Sequence, residues 1–259
     1  MERIALNRGK LKLLAIVAMV IDHIAWAFVP LPAPLAQVMH FFGRLTGPMM
    51  AYFLAEGYLH TRNVKRYAVR LGIFALLSWG PFCYFETGLP PVSLSAGRTA
   101  VSRLHLYLPF LDRTLIIRPM FGMLYTLFLG LLAIWLWDKG RCPMWCKALG
   151  AVVLCYFSSF GDWRILGVLY PLCFFCFRDS PKIKWTMFYL LTVVFRLTSV
   201  LNASPAYWLF HAGIFLVPPL LHFCYNGEPG NKHPAQKWFF YVFYPAHLLL
   251  LALLKALVF

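Results

Sequence analysis

The sequence predicts an all-α integral membrane protein, a bundle of about nine transmembrane helices forming one domain over residues 1–259. The first observation is composition. Of the 259 residues, 61% are hydrophobic and 13% are charged, whereas soluble domains carry about 45–50% apolar and about 25% charged residues. The second is the recurrence of apolar stretches close to the roughly 20 residues that a helix needs to cross a bilayer. The lipid bilayer is therefore the expected surroundings of the chain.

Nine such stretches follow one another without an internal repeat or a soluble domain. They lie at 11–29, 36–59, 67–88, 118–137, 144–161, 163–178, 182–201, 205–225 and 237–258. The segment 89–117 does not fit a tenth span, because its apolar part Leu104–Leu111 is short and contains Pro109. We expect that segment to be an interfacial or re-entrant piece.

The distribution of basic residues predicts the orientation of the bundle. The chain has 24 Lys and Arg against 9 Asp and Glu, a net charge of +15, and every second connector between the spans is basic. Because Lys and Arg concentrate in cytoplasmic connectors, this alternation predicts a cytoplasmic N-terminus. The same placement explains the basic charge without a nucleic-acid partner, and none is expected.

The seven cysteines do not indicate a metal site. The Cys173-x-x-Cys176 pair falls inside an apolar run, where cysteine behaves as a small hydrophobic residue. Cys142 and Cys146 lie in or beside a basic connector, but no second pair of ligands accompanies them. We therefore expect packing roles and no bound metal.

Asp22 and His23 are the most informative residues, because both lie inside the otherwise apolar stretch Leu13–Val29. An ionisable side chain at the centre of a membrane helix costs about 3 kcal/mol on insertion scales, so two in succession indicate a functional site. Adjacent helical residues point about 100° apart, which predicts that Asp22 and His23 face different partners. Histidine is the usual general base near neutral pH.

Other polar residues fall within the predicted spans. Arg44 either snorkels to the interface or pairs with Asp22, and Glu56 is expected to pair with a basic residue of the cytoplasmic connectors. His211 and His222 are interpreted as hydrogen-bonded structural residues. His247, in the last span, adds no charge neutralisation and is harder to explain by structure alone.

The spacing of Lys12 and His23 suggests what kind of acyl donor could reach His23. A helix rises 1.5 Å per residue, which separates these residues by about 17 Å, comparable to an extended pantetheine arm. A cofactor anchored by cytoplasmic basic residues could thus bring a thioester to His23. The ten intervening residues also match the Lys/Arg-x10-His pattern of the acyltransferase 3 superfamily.

The rest of the chain resembles one branch of that superfamily, the TraX family of membrane acetyltransferases, which includes the F-pilin acetylase. The segments that carry the resemblance are KLLAIVAMVIDH (12–23), FFGRLTGPMMAYFLAEGYLHTRNVKRYAVRL (41–71), LLSWGPF (76–82), YTLFLGLL (125–132), GDWRILGVLYP (161–171) and KWFFYVFYPAHLLLL (237–251). The resemblance implies a multi-pass protein of the bacterial inner membrane that transfers an acetyl group from cytosolic acetyl-CoA, or another acyl-CoA, to an amine or hydroxyl acceptor. A peptide, a pilin N-terminus or a glycan could be that acceptor.

The resemblance also assigns residues to roles. It implies His23 as the catalytic base and Lys12 as a contact near the CoA entrance, and His247 matches a histidine of the family. Because Asp22 adjoins His23, we take Asp22, His23 and His247 as the catalytic candidates. Arg44, Glu56, Arg62 and Asn63 carry further family motifs, and together with Lys12 and the basic residues Arg66 and Arg70 they are the expected contacts to the acyl donor. A different class of function stays open from the residues themselves, because intramembrane Asp, His and Arg also mark ion pathways. That alternative is a non-catalytic channel, transporter or assembly subunit with a proton or ion pathway.

Overall fold

A computed structural model describes residues 6–96, 104–201, 208–230 and 234–258. The chain is predominantly helical, as the sequence predicts. The helices are α1 Arg8–Phe28, α2 Pro34–Gly43, α3 Thr46–His60, α4 Val64–Leu77, α5 Trp79–Thr87, α6 Met123–Lys139, α7 Met144–Ser158, α8 Leu166–Cys176, α9 Pro181–Leu201, α10 Trp208–Ala212, α11 Val217–Cys224 and α12 Pro234–Val258.

Three helical stretches in the described part of the chain are long and apolar enough to cross a membrane: Arg8–Phe28, Val64–Thr87 and Trp238–Val258. Shorter apolar helices lie at Met144–Ser158, Leu166–Cys176 and Leu209–Cys224. Many of their large apolar side chains are exposed, for example Leu149 and Val152 on α7. Such surfaces suit lipid better than water. The helices are therefore those expected of a membrane protein, whereas the count of nine spans stays a prediction.

The predicted spans 36–59 and 67–88 are broken helices. The stretch 36–59 divides into α2 and α3 around Arg44, and Pro48 in the first turn of α3 lacks the N–H group that would continue the hydrogen-bond ladder. The stretch 67–88 divides into α4 and α5 at Ser78, three residues before Pro81, and the Ser78 hydroxyl donates to the Phe74 carbonyl at 2.6 Å. The break in the first of these spans positions the candidate site.

The segment 89–117 contains a sheet that the sequence did not predict, while its interfacial or re-entrant placement stays a prediction. Its described parts form a three-stranded antiparallel sheet of β1 Val92–Ala96, β2 Leu104–Leu108 and β3 Arg113–Ile117, in the order β1-β3-β2, while 97–103 lie outside the described residues. Asp112 makes the tight turn into β3 with φ 45°. Pairing between strands satisfies backbone groups that an isolated extended segment would leave without partners.

Helix α1 lies at the centre of the candidate site and packs against α2, α3 and α12. The threonine hydroxyl of Thr46 donates to the Ala15 carbonyl at 3.0 Å and ties α3 to α1. Tyr244 of α12 accepts the backbone N–H of Met123 at 2.8 Å, which fixes the start of α6. The half of the bundle around Arg8 and Lys12 is called the Lys12 end below, and the opposite half the Trp26 end.

Candidate functional site

A pair of histidines from the two ends of the sequence forms the first part of the site. His23 Nδ1 lies 2.9 Å from His247 Nε2, although the two residues are 224 positions apart. Both side chains are buried, and the edge of the Phe85 ring contacts His23 with the ring centroids 5.4 Å apart. The structure thus brings together two of the three residues predicted to be catalytic.

The hydrogen bonds of His247 determine which nitrogen of His23 can act as a base. His247 Nδ1 lies 3.0 Å from the Phe243 carbonyl, and a carbonyl can only accept, so Nδ1 carries the proton. A neutral His247 then has its lone pair on Nε2, which makes His23 Nδ1 the donor between the rings. The lone pair of a neutral His23 therefore lies on Nε2, the nitrogen turned away from His247.

Asp22 belongs to a separate ion cluster. Arg44 Nη2 donates to Asp22 Oδ2 at 2.9 Å, and His40 Nδ1 donates to Asp22 Oδ1 at 2.8 Å. The predicted pairing of Asp22 with Arg44 is confirmed. Arg44 neutralises the carboxylate, and Asp22 orients His40 rather than its neighbour His23.

Aromatic rings enclose this cluster. The His40 ring is fully buried between Trp26 and Phe210, at centroid distances of 4.6 and 4.9 Å. The Arg44 guanidinium lies 4.4 Å from the Phe210 ring, a cation–π contact. Within the described residues, His40 Nε2 and Arg44 Nε are buried without a hydrogen-bond partner. Buried polar atoms of this kind are uncommon and mark a site of interest.

Gly43 allows the close approach of α1 and α2 on which the cluster depends. A Cβ atom at this position would overlap the Cβ and the carboxylate of Asp22. Because the Asp22 Cβ is attached to the α1 backbone, rotating the side chain would not relieve the overlap. A glycine is thus required where α2 ends.

Two cavities adjoin the site. A small one of about 10 Å³, the space of one water molecule, is lined by Asp22, His23, Thr46 and Tyr244. A larger one of about 460 Å³ lies at the Trp26 end, within the ~300–1,000 Å³ of ligand pockets. Arg44 and Asp162 line both cavities, so the large cavity lies directly beside the His23 pocket. Its remaining walls combine Trp26, Phe82, Glu86, Arg118, Pro119, Met120, Phe121, Ser159, Phe160, Gly161 and Arg164.

Arg164, in the wall of the large cavity, has an unusual backbone. Its φ of 44° lies in the left-handed region, which costs an L residue other than glycine about 1–2 kcal/mol. The Ser158 hydroxyl donates to the Arg164 carbonyl at 2.5 Å and stabilises the turn. Such strain is more common at functional sites than elsewhere.

The predicted donor contacts lie mostly at the Lys12 end. Lys12 Nζ lies 5.6 Å from the Phe240 ring, and the Arg70 guanidinium lies 5.3 Å from the ring of the next residue, Tyr241. Lys12 and Arg70 thus approach α12 at neighbouring residues. Arg44 is the exception, because it lies beside Asp22 and His40.

The other predicted donor residues have structural partners or are exposed. Glu56 forms an ion pair of 2.9 Å with Arg8, and Tyr225 donates to its second oxygen at 2.6 Å. Asn63 caps α4 by accepting the backbone N–H of Arg66 at 2.8 Å. Arg62 and the Arg66 side chain are exposed at this end. Glu56 therefore holds Arg8 in place, and Asn63 holds the start of α4.

Sequence reasoning missed three parts of this arrangement. His40 was not singled out, although it precedes Arg44 by four residues and such residues share one helix face. Glu86 and Arg118 were not considered as wall residues of a cavity. The pattern around His40 held a usable signal, whereas the position of Arg118 depends on the sheet.

The fold and site define a helical membrane protein with a buried histidine pair next to a buried ion cluster. The chain belongs to the TraX family: the family model described as TraX protein matches residues 7–93 and 118–255. The match omits 94–117, which contain most of the sheet.

A curated relative supports the assignment. The chain is 30% identical over 252 residues to the probable fimbrial assembly protein FimC, serogroup H1, of Dichelobacter nodosus. The alignment covers 95% of this chain and 94% of the relative. No solved structure matches the chain.

Proposed function

We propose that this protein is an acyl-CoA-dependent membrane acyltransferase, with acetyl-CoA as the donor and an amine or hydroxyl as the acceptor. The observation that carries the proposal is the His23–His247 contact, which leaves the lone pair of His23 on Nε2, in a residue that also lines a small polar cavity. The TraX match supports the same activity, because the family resemblance implies an acetylase. The relative is named as a probable fimbrial assembly protein, which favours a pilus-related acceptor such as a pilin N-terminus.

In the proposed mechanism, His23 Nε2 removes a proton from the acceptor as the acceptor's nitrogen or oxygen forms a bond to the acyl carbon. The carbon–sulfur bond then breaks, and His23 returns the proton to the leaving thiolate. His247 is a positioning residue in this scheme, because it accepts from His23 Nδ1 and keeps the lone pair on Nε2.

We further propose that the donor enters at the Lys12 end and that this end faces the cytoplasm of a bacterium. Lys12, Arg62, Arg66 and Arg70 supply positive charge for phosphate groups there. A cytoplasmic N-terminus, nine spans and insertion in the inner membrane complete this proposal, and the alternation of basic connectors supports them.

The alternative function is an ion or proton pathway, and the buried cluster of Asp22, His40 and Arg44 is the observation in its favour. The two functions differ in one property that does not depend on the acceptor. A transferase binds acetyl-CoA when purified, whereas a pathway protein changes the ion permeability of vesicles.

The decisive experiment compares His23→Gln with the matched variant His222→Gln in purified protein. His222 is an exposed histidine on α11. We expect His23→Gln to bind acetyl-CoA normally and to lose transfer by about 10²–10⁴, because glutamine keeps hydrogen-bonding capacity but cannot take up the proton. His222→Gln should stay active. An active His23→Gln protein would refute the assignment of the base.

A further inference from the structure

The large cavity at the Trp26 end has a role that the transfer mechanism leaves open. The cavity of about 460 Å³ lies on the opposite side of His23 from Lys12. If the donor reaches His23 from the Lys12 end, the acceptor needs a separate approach. Because Arg44 and Asp162 line both this cavity and the His23 pocket, a molecule in the large cavity has its inner end next to the base.

The cavity wall carries two carboxylates, Glu86 and Asp162, and three arginines, Arg44, Arg118 and Arg164. Glu86 lies within electrostatic range of Asp162 and Asp22, and also of the cations Lys255 and Arg44. Tyr244 of the His23 pocket is within range of both Glu86 and Asp162. Of the two carboxylates in the wall, Asp162 also lines the His23 pocket. Arg44, which also lies there, is already paired with Asp22 and adds little free positive charge.

The positive part of the wall lies next to the sheet. Arg118 Nη1 donates to the Pro90 carbonyl and to the Ser93 hydroxyl, both at 2.9 Å, so its side chain is fixed beside β1. These contacts use one of the two terminal nitrogens, and an arginine has five N–H donors in all. Arg164 is exposed in the same wall, held by its strained turn. Arginine in such a position suits a carboxylate or a phosphate.

We propose that this cavity is the acceptor site and that it selects a zwitterionic primary amine, whose ammonium faces Glu86 and whose anionic group faces Arg118 and Arg164. This inference rests on the proposed function for its catalytic consequence. Aromatic walls formed by Phe121 and Phe160 would cover the carbon skeleton between the two charges. A neutral sugar would offer no opposite charge to Glu86, Arg118 or Arg164.

The Glu86 carboxylate also accounts for the first of the two protons that the bound ammonium must lose. A bound ammonium must lose one proton before its nitrogen can attack, and the Glu86 carboxylate is the acceptor in the cavity wall. The neutral amine then forms the bond to the acyl carbon and gives its second proton to His23, which passes it to the thiolate. The products are the amide, the free thiol of CoA and one proton released from Glu86.

The test is equilibrium binding to the purified full chain without acetyl-CoA, so that its result does not depend on transfer. The probes are Gly-Asp-Gly amide, its N-acetylated form, which lacks the ammonium, and Gly-Asn-Gly amide, which lacks the carboxylate. We expect Gly-Asp-Gly amide to bind at least about tenfold more tightly than either of the other peptides, because each of those lacks one charge-assisted contact. Equal affinity for the three peptides would overturn the proposal.

Matched variants identify the two charged parts of the wall. Glu86→Gln should abolish the preference for the free amine, and Arg164→Gln should abolish the preference for aspartate over asparagine. Glu228→Gln and Arg141→Gln, at exposed positions outside the cavity lining, should change neither preference. Unchanged preferences in both cavity variants would overturn the assignment of these residues.

A second arm distinguishes two sources of the same chemistry. Nanodiscs that contain phosphatidylethanolamine present a zwitterionic primary amine, whereas phosphatidylcholine lacks the N–H groups. If only the phosphatidylethanolamine nanodiscs compete with the peptide, the cavity chemistry is supported and the ligand is a lipid head group. If neither lipid competes and peptide binding is retained, the ligand is a peptide. Acyl transfer without charge-selective peptide binding would refute this inference but leave the proposed acyltransferase activity standing. Charge-selective binding without acyl transfer would refute the acyltransferase activity and support the inference.

Discussion

Gly43→Ala is the substitution that best tests the buried ion cluster, because it adds one methyl group where α2 meets Asp22. The new Cβ would overlap both the carboxylate and the Cβ of Asp22. The helices α1 and α2 must therefore separate by roughly 1 Å to restore van der Waals contact. That movement would break the hydrogen bonds of Asp22 to His40 and Arg44. Disrupting a buried ion pair costs about 3–5 kcal/mol, and alanine's helix preference returns about 0.5–1 kcal/mol.

The expected net loss of about 2–4 kcal/mol corresponds to a fall in the apparent Tm of roughly 5–15 °C for a chain of this size. Gly80→Ala is the matched control, because a Cβ at Gly80 meets nothing within 4 Å. Its Tm should stay within a few degrees or rise. Thermal unfolding in one detergent at a fixed scan rate provides the measurement. If the Gly43→Ala and Gly80→Ala proteins have the same Tm, the close packing described for Asp22 is wrong.

Three further predictions address the base, the cluster and the donor. His247→Leu should reduce transfer by about 10–100-fold, whereas His247→Gln, whose amide oxygen can accept from His23, should recover part of that loss in the same assay. Asp22→Asn combined with Arg44→Gln should be more stable in thermal unfolding than the two single losses predict by addition. Arg70→Ala should weaken acetyl-CoA binding, more at low than at high salt, and salt-independent affinity equal to that of the unmodified protein would contradict a donor site at the Lys12 end.

The predicted and observed sites agree where local chemistry was sufficient. A carboxylate inside an apolar helix needs a cation, and Arg44 is the basic residue within the next predicted span, so their pairing follows from the cost of an uncompensated charge. The same helical geometry predicts that His23 turns away from Asp22. His40 could have been found by the same reasoning, because it shares a helix face with Arg44.

Other features depend on packing between distant parts of the chain. The contact of His23 with His247 requires α1 to pack against α12, and no local pattern gives that geometry. The sheet was missed because each strand has only five residues, too few for a clear alternating pattern. In addition, β1 pairs with β3, which is not the next strand along the chain. Leu115 faces Leu94 on one side and Leu106 on the other, a register that only the folded segment defines.

The site differs from a charge-stabilised catalytic triad in a way that follows from α1. Asp22 directly precedes His23, so its carboxylate points about 100° away and is neutralised by Arg44 instead. The base is then supported by a neutral imidazole, His247, whose own proton is fixed by the Phe243 carbonyl. A neutral partner orients His23 but does not stabilise the imidazolium that forms during proton transfer. In the proposed mechanism, Glu86 has already taken the first proton of the ammonium when the imidazolium forms. Its stabilisation is therefore left to Asp22, which lies within electrostatic range of His23, and to Asp162, which lines the His23 pocket.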